Sequence, residues 1–174
     1  MSYDGETAER AIQSLIQTNI DAALTAVAAR WTGDDALSIT RPVTYSRGYR
    51  TFMVDLPSSS MPYVVIIVAQ AQPQGGAGRL DAQDVHYPFS VNVWCVGGTE
   101  DEAVTVAHRY AEALCDILGA NRVISGYRQA TDKPQVEIYS DNEQHLIEGY
   151  KGDAQNSDDV DFLRLVVVSG AVKD

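Results

Sequence analysis

The sequence predicts an α+β domain: a mainly antiparallel sheet with two amphipathic helices packed on one face and a β-hairpin arm. Three observations lead there. Apolar residues recur at three- and four-residue steps in two stretches, one near the start and one after position 99. Runs at 63–69, 87–94 and 162–168 are either continuously β-branched or strictly alternating. The strands are grouped rather than interleaved one by one with helices, which favours antiparallel pairing.

The first helix is expected over 6–31. Ala8, Ile12, Leu15, Ile16, Ala23, Leu24, Val27, Ala28 and Trp31 form its apolar face, Asp4 caps it, Glu6 and Glu9 suit the positive end of its dipole, and Gly33 stops it. Leu37 and Ile39, then Phe52, Val54 and Leu56, alternate with polar residues and predict short strands ending at Pro42 and Pro57. The run Tyr63-Val64-Val65-Ile66-Ile67-Val68-Ala69 fits a strand buried on both faces, or one half of an oligomer interface. The polar stretch 70–83, with Gly75, Gly76 and Gly78 at its middle, is either a long mobile loop or the tip of an extended hairpin.

Tyr87, Phe89, Val91 and Val93 alternate with Ser90, Asn92 and Trp94, a half-buried strand broken by Gly97-Gly98. Thr99 and Glu102 have capping-box spacing before the second helix. Val106, Ala107, Tyr110, Ala111, Leu114, Ile117 and Leu118 make its apolar face, and Gly119 is expected to end it. Strands follow at 123–129, 136–139, 145–150 and 162–168, with a polar acidic linker at 151–161.

A chain of 174 residues is expected to be one domain, 1–174. Its 45% apolar and 21% charged content is that of a globular protein with a sizeable core. A net charge of −11 opposes sequence-blind binding to nucleic acid, which needs cations against phosphates. The start lacks the basic head and apolar core of a secretory signal. The longest apolar run, 63–69, is far below the ~20 residues of a membrane span. Cys95 and Cys115 read as buried thiols in a reducing compartment, with a bridge conceivable only where strand and helix face each other closely.

No catalytic or cofactor constellation emerges, and neither a cofactor nor enzyme activity is expected. The glycines at 75–78 lack the lysine and the following helix of a phosphate loop. Asp153, Asn156, Asp158, Asp159 and Asp161 miss the spacing of a calcium loop and read as a solvated linker. His86, His108 and His145 are too scattered for zinc, and His108 is expected in solvent. Neither cysteine has a basic neighbour in sequence to activate it.

Aromatic and arginine side chains on outer faces point instead to protein contacts. Tyr45, Tyr49, Trp94 and Tyr127 fall on mixed surfaces, and Arg41, Arg47, Arg50 and Arg79 are available as partners. The candidate subunit-interface residues are Arg79, His86, Tyr87 and Trp94.

Several segments together resemble the tail terminator (tail completion, or neck) proteins of tailed bacteriophages and related gene-transfer particles. They are the N-terminal amphipathic helix, Met61-Pro62-Tyr63-Val64-Val65-Ile66, and His86-Tyr87-Pro88-Phe89-Ser90-Val91-Asn92-Val93-Trp94-Cys95. A helix opened by Glu100-Asp101-Glu102-Ala103 and the closing run Asp161-Phe162-Leu163-Arg164-Leu165-Val166-Val167-Val168 complete the order. The resemblance implies a structural virion protein, assembled in the host cytoplasm. It implies a ring, usually a hexamer, that caps the tail tube and meets the head–tail connector, with DNA passing through the lumen unbound and no membrane partner. Other readings compatible with the residues are another neck or tail subunit, such as a tube or head-completion protein, and a small-molecule-binding module on the same scaffold.

Overall fold

The computed structural model describes residues 5–33, 36–42, 44–47, 61–69, 72–74, 84–125, 135–151 and 162–173. In chain order the elements are α1 (Gly5–Ala29), β1 (Thr44–Arg47), β2 (Tyr63–Val68), β3 (Gln72–Gln74), β4 (Asp84–Gly97), α2 (Glu100–Ala120), β5 (Val123–Ser125), β6 (Gln135–Lys151) and β7 (Phe162–Lys173). The strands form one seven-stranded sheet, ordered β1-β2-β4-β7-β6-β5, with β3 pairing to β4. Only β1 and β2 run parallel; every other pair is antiparallel. The fold is α+β, as the grouping of strands predicted.

Period-2 alternation divides the sheet into two faces. Val64 and Ile66 of β2, Phe89, Val91, Val93 and Cys95 of β4, and Val166 and Val168 of β7 pack into one core with both helices. From α1, Ala8, Ala11, Ile12, Ile16, Ile20, Leu24 and Val27 enter that core; from α2 come Tyr110, Leu114 and Leu118. Burying each large apolar side chain contributes roughly 1.5–3 kcal/mol, so this layer dominates stability. The solvent side of α1 carries an i,i+4 ion pair, Glu6 with Arg10 at 2.5 Å.

Three features differ from the sequence expectation at α1 and beyond it. Trp31 leaves the apolar stripe and is 43% exposed. The reason is local: Arg30 N–H bonds to Val27 O and Trp31 N–H to Ala28 O, three residues back, so the chain tightens into a 3₁₀ turn. Gly33, at φ +70°, then turns the chain in a conformation that favours glycine. Residues 36–42 form no strand. Leu37 and Ile39 do pack against the core, but the backbone is tied to the helices: Tyr110 Oη donates to Thr40 O, and Arg41 donates to Asp21 O and Thr25 Oγ1 of α1. The first strand is β1, four residues that sequence reading did not assign to a strand.

The strand–turn–helix unit agrees closely with expectation. Thr99 caps α2, accepting from Glu102 N–H at 3.1 Å. The reciprocal arm reaches one residue further than in a standard box, since Glu102 Oε2 accepts from Gly98 N–H at 2.9 Å. The helix runs past Gly119 to Ala120, with Asn121 as its C-cap. Asn121 satisfies Ile117 O with both its backbone N–H and its Nδ2. The two strands expected at 136–139 and 145–150 are one long strand, β6, with an irregular register between Tyr139 and Gln144. β7 runs on to Lys173, and β5 stops at Ser125 within the described residues.

Of the two readings of 70–83, pairing of β3 with the start of β4 gives a hairpin stem, Gln72 opposite His86 and Gln74 opposite Asp84. The glycine cluster lies outside the described residues, as do Asp4, 48–60, 126–134 and the acidic stretch 152–161.

Candidate assembly surface

The second face of the sheet has no helix on it among the described residues. β2 contributes Tyr63, Val65 and Ile67; their register partners on β4 are Trp94, Asn92 and Ser90, whose partners on β7 are Leu165, Val167 and Ser169. Met61, Tyr63 and Val65 are buried and form a second apolar cluster with Ile67, Trp94 and Val96 packed against it. Leu165, Val167 and Ser169 are half-buried. Both faces of β2 are therefore buried over Tyr63–Ile66, as its unbroken β-branched run implied. Asn92 spends its amide within this face, donating to Ser90 Oγ at 3.0 Å and Val65 O at 3.4 Å. None of these residues carries a formal charge, in a chain whose net charge is −11.

Of the four residues singled out from sequence, Trp94 and Tyr87 lie on opposite faces of the sheet. Trp94 lies on this second face, against the Met61–Tyr63–Val65 cluster. Tyr87 is on the opposite face, 7% exposed in the helix-side core, so within this chain it is a packing residue. His86 occupies a register position on β4 between Gln72 and Lys173. Arg79 lies outside the described residues. Arg41 and Arg47 are occupied within the chain, Arg41 on α1 and Arg47 beside Glu6 at 3.5 Å. Tyr45 faces the helices; burial, with the Asp21 carboxylate adding, pushes its phenol up to about 12. Met61 and Tyr63 were missed as surface-side partners of Trp94, although the alternation that placed Trp94 outward applies equally to β2.

Nucleophilic chemistry has little to draw on. Neither cysteine is in a disulfide; Cys95 is buried and its thiol is pushed up by burial, which keeps it protonated, while Cys115 is only half-buried. His108 is exposed on α2, as expected. Among the described residues no group of three or more His, Cys, Asp or Glu is placed to hold a metal ion, and no helix is long and apolar enough to cross a membrane. A polar groove between α1 and β1, lined by Arg10, Gln13, Ser14, Gln17, Tyr45, Ser46 and Arg47, holds the buried Ser46 Oγ, which has no hydrogen-bond partner among the described residues.

One pairing lies apart from all of these: the Arg109 guanidinium sits 3.8 Å from the centroid of the Trp31 ring. Arg109 is only 5% exposed, and Trp31 is the one exposed large hydrophobic among the described residues. Sequence periodicity assigned Trp31 to the core and gave no sign of this contact. No protein-family model matches the chain, and neither does any curated protein.

Proposed function

We propose that the chain is a structural subunit of a phage tail or neck, of the tail-terminator type. Copies close into a ring, a hexamer, that caps the tail tube and meets the head–tail connector. The subunit works by shape and contact rather than by catalysis.

The observation that supports this is the second face of the sheet. Like-charged copies approach most easily through surface that bears no charge, and apolar surface with a central aromatic is what buried interface cores are made of. On this face the half-buried Trp94, with Ile67, Val96, Leu165 and Val167 around it over the buried Tyr63, combines the two. A ring of identical subunits repeats one contact until it closes, and the remaining acidic surface would give DNA a lumen to slide through.

Light scattering coupled to size exclusion, with electron microscopy of the same fractions, tests the proposal. Closed rings of one defined mass are expected. Open-ended tubes would point to a tube subunit instead, and a monomer at every concentration would overturn assembly altogether.

A further inference from the structure

Beside Trp31 runs a groove of about 750 Å³ between the outer side of α2 and the chain that follows α1. Its floor is apolar or aromatic, from Trp31, Leu37, Ala111 and the half-buried Cys115. Its rim is acidic. Asp101, Glu102 and Glu112 line it with Arg109, and Arg30 beside it bridges Glu112 to Asp116, so four carboxylates face two guanidiniums, a formal balance of −2. We infer that this groove receives a Lys/Arg-rich, apolar-tipped segment of a partner protein that is not a second copy of this chain.

The size suits an inserted segment or ligand, since binding clefts commonly measure ~300–1,000 Å³. Trp and Arg in contact at a surface are the residue types that anchor interfaces. Here Arg109 holds the Trp31 ring, so the aromatic is already fixed and little side-chain entropy is lost on binding. Charge selects the occupant. Asp101 is exposed at the start of α2, and an acidic rim attracts cations while repelling acidic chains.

Among the described side chains, a second copy is a poor source of those cations. Every arginine whose side chain is described already engages a group of its own chain. Arg10 and Arg47 sit on Glu6, Arg30 on Glu112 and Asp116, Arg41 on α1, and Arg109 on Trp31, while Arg122 is also engaged. The groove lies on the helix side, away from the uncharged patch on β2, β4 and β7, so it remains available whether or not copies assemble through that patch.

The test is fluorescence anisotropy of a labelled short peptide of alternating Lys and Leu, titrated with the full chain. Saturable binding is expected, weakened about tenfold by Trp31→Ala, weakened also by Asp101→Asn, and weakened by raised salt. Circular dichroism checks that both variants fold; should Trp31→Ala not, Asp101→Asn decides. Three results would each overturn the inference: no saturable binding, affinity unchanged in the folded variants, or equal binding of a Glu–Leu peptide. Displacement by lysinamide at the peptide's own concentration would also overturn it, by revealing a small-cation site.

Discussion

Gly97 and Ala103 touch where β4 hands the chain to α2: a Cβ on Gly97 would stand 2.7 Å from Ala103 Cα. The first turn of the helix is pressed onto the strand end, and the Thr99 cap and the Glu102–Gly98 bond hold it there. The obstacle is backbone, not a side chain that swings aside. Gly97→Ala is therefore expected to cost about 1–3 kcal/mol, the range of overpacked sites. At ~2–4 °C per kcal/mol for a chain of this size, thermal melting resolves the loss. Gly119→Ala, where nothing lies within 4 Å, is the matched control and should not lower stability.

Tyr110 fastens the chain after α1 to the second helix through its hydroxyl on Thr40 O. Tyr110→Phe keeps the buried ring and removes the donor. Thr40 is exposed, so its carbonyl turns to water and the net cost is about 1 kcal/mol. Amide hydrogen exchange should quicken locally over 36–42 while the β4 and β7 amides stay protected.

Alkaline pH bears on the same region. Tyr45 is raised by burial to about 12, and burial raises Tyr110 as well, so the folded chain keeps these protons after the unfolded chain has lost them. Stability from both is complete below pH ~10, the ordinary tyrosine value, and drains away as pH climbs from there through the raised values. Denaturant midpoints are expected to fall slowly from pH ~8.5, the ordinary thiol value, because burial raises Cys95 too, and more steeply above pH ~10. In Tyr110→Phe the fall should be shallower, because only Tyr45 remains of the pair.

The course of these elements shows what a sequence reveals. The α2 cap was legible because Thr99 and Glu102 lie three residues apart and act on the same turn. β4 was legible because burial on a one-sided strand has period two, and β2 because a strand buried on both faces reads as an unbroken apolar run. β1 was not, since four mixed residues become a strand only through parallel pairing with β2, from Thr44 opposite Tyr63 to Arg47 opposite Ile66. Leu37 and Ile39 alternate like a strand because they pack on helices, and the pattern records burial without naming the partner. Trp31 was misplaced because a helical wheel continues past the point where the backbone tightens. For the candidate surface, alternation placed Trp94 outward, and the same alternation set Tyr87 with Phe89 in the core.

Ser169 and Ser90 are register partners on the second face, at the far end of the Trp94–Tyr63 patch. If copies meet through this face, Ser169→Glu places a carboxylate in the contact of chains that already carry −11 each. Because Ser169 is half-buried, a glutamate reaches solvent in the lone chain and the fold survives. The expected outcome is a drop in light-scattering mass from oligomer to monomer, with a circular dichroism spectrum unchanged. Trp94→Ala should weaken assembly in the same direction by removing the aromatic anchor. Thr18→Glu, on the exposed side of α1, adds the same charge elsewhere and should leave the mass as it was. A mass that falls equally in Thr18→Glu would mean that net charge alone governs association. A mass unmoved by Ser169→Glu would take the interface off this face and onto a sheet edge or the hairpin stem, where backbone groups rather than side chains would carry the contact.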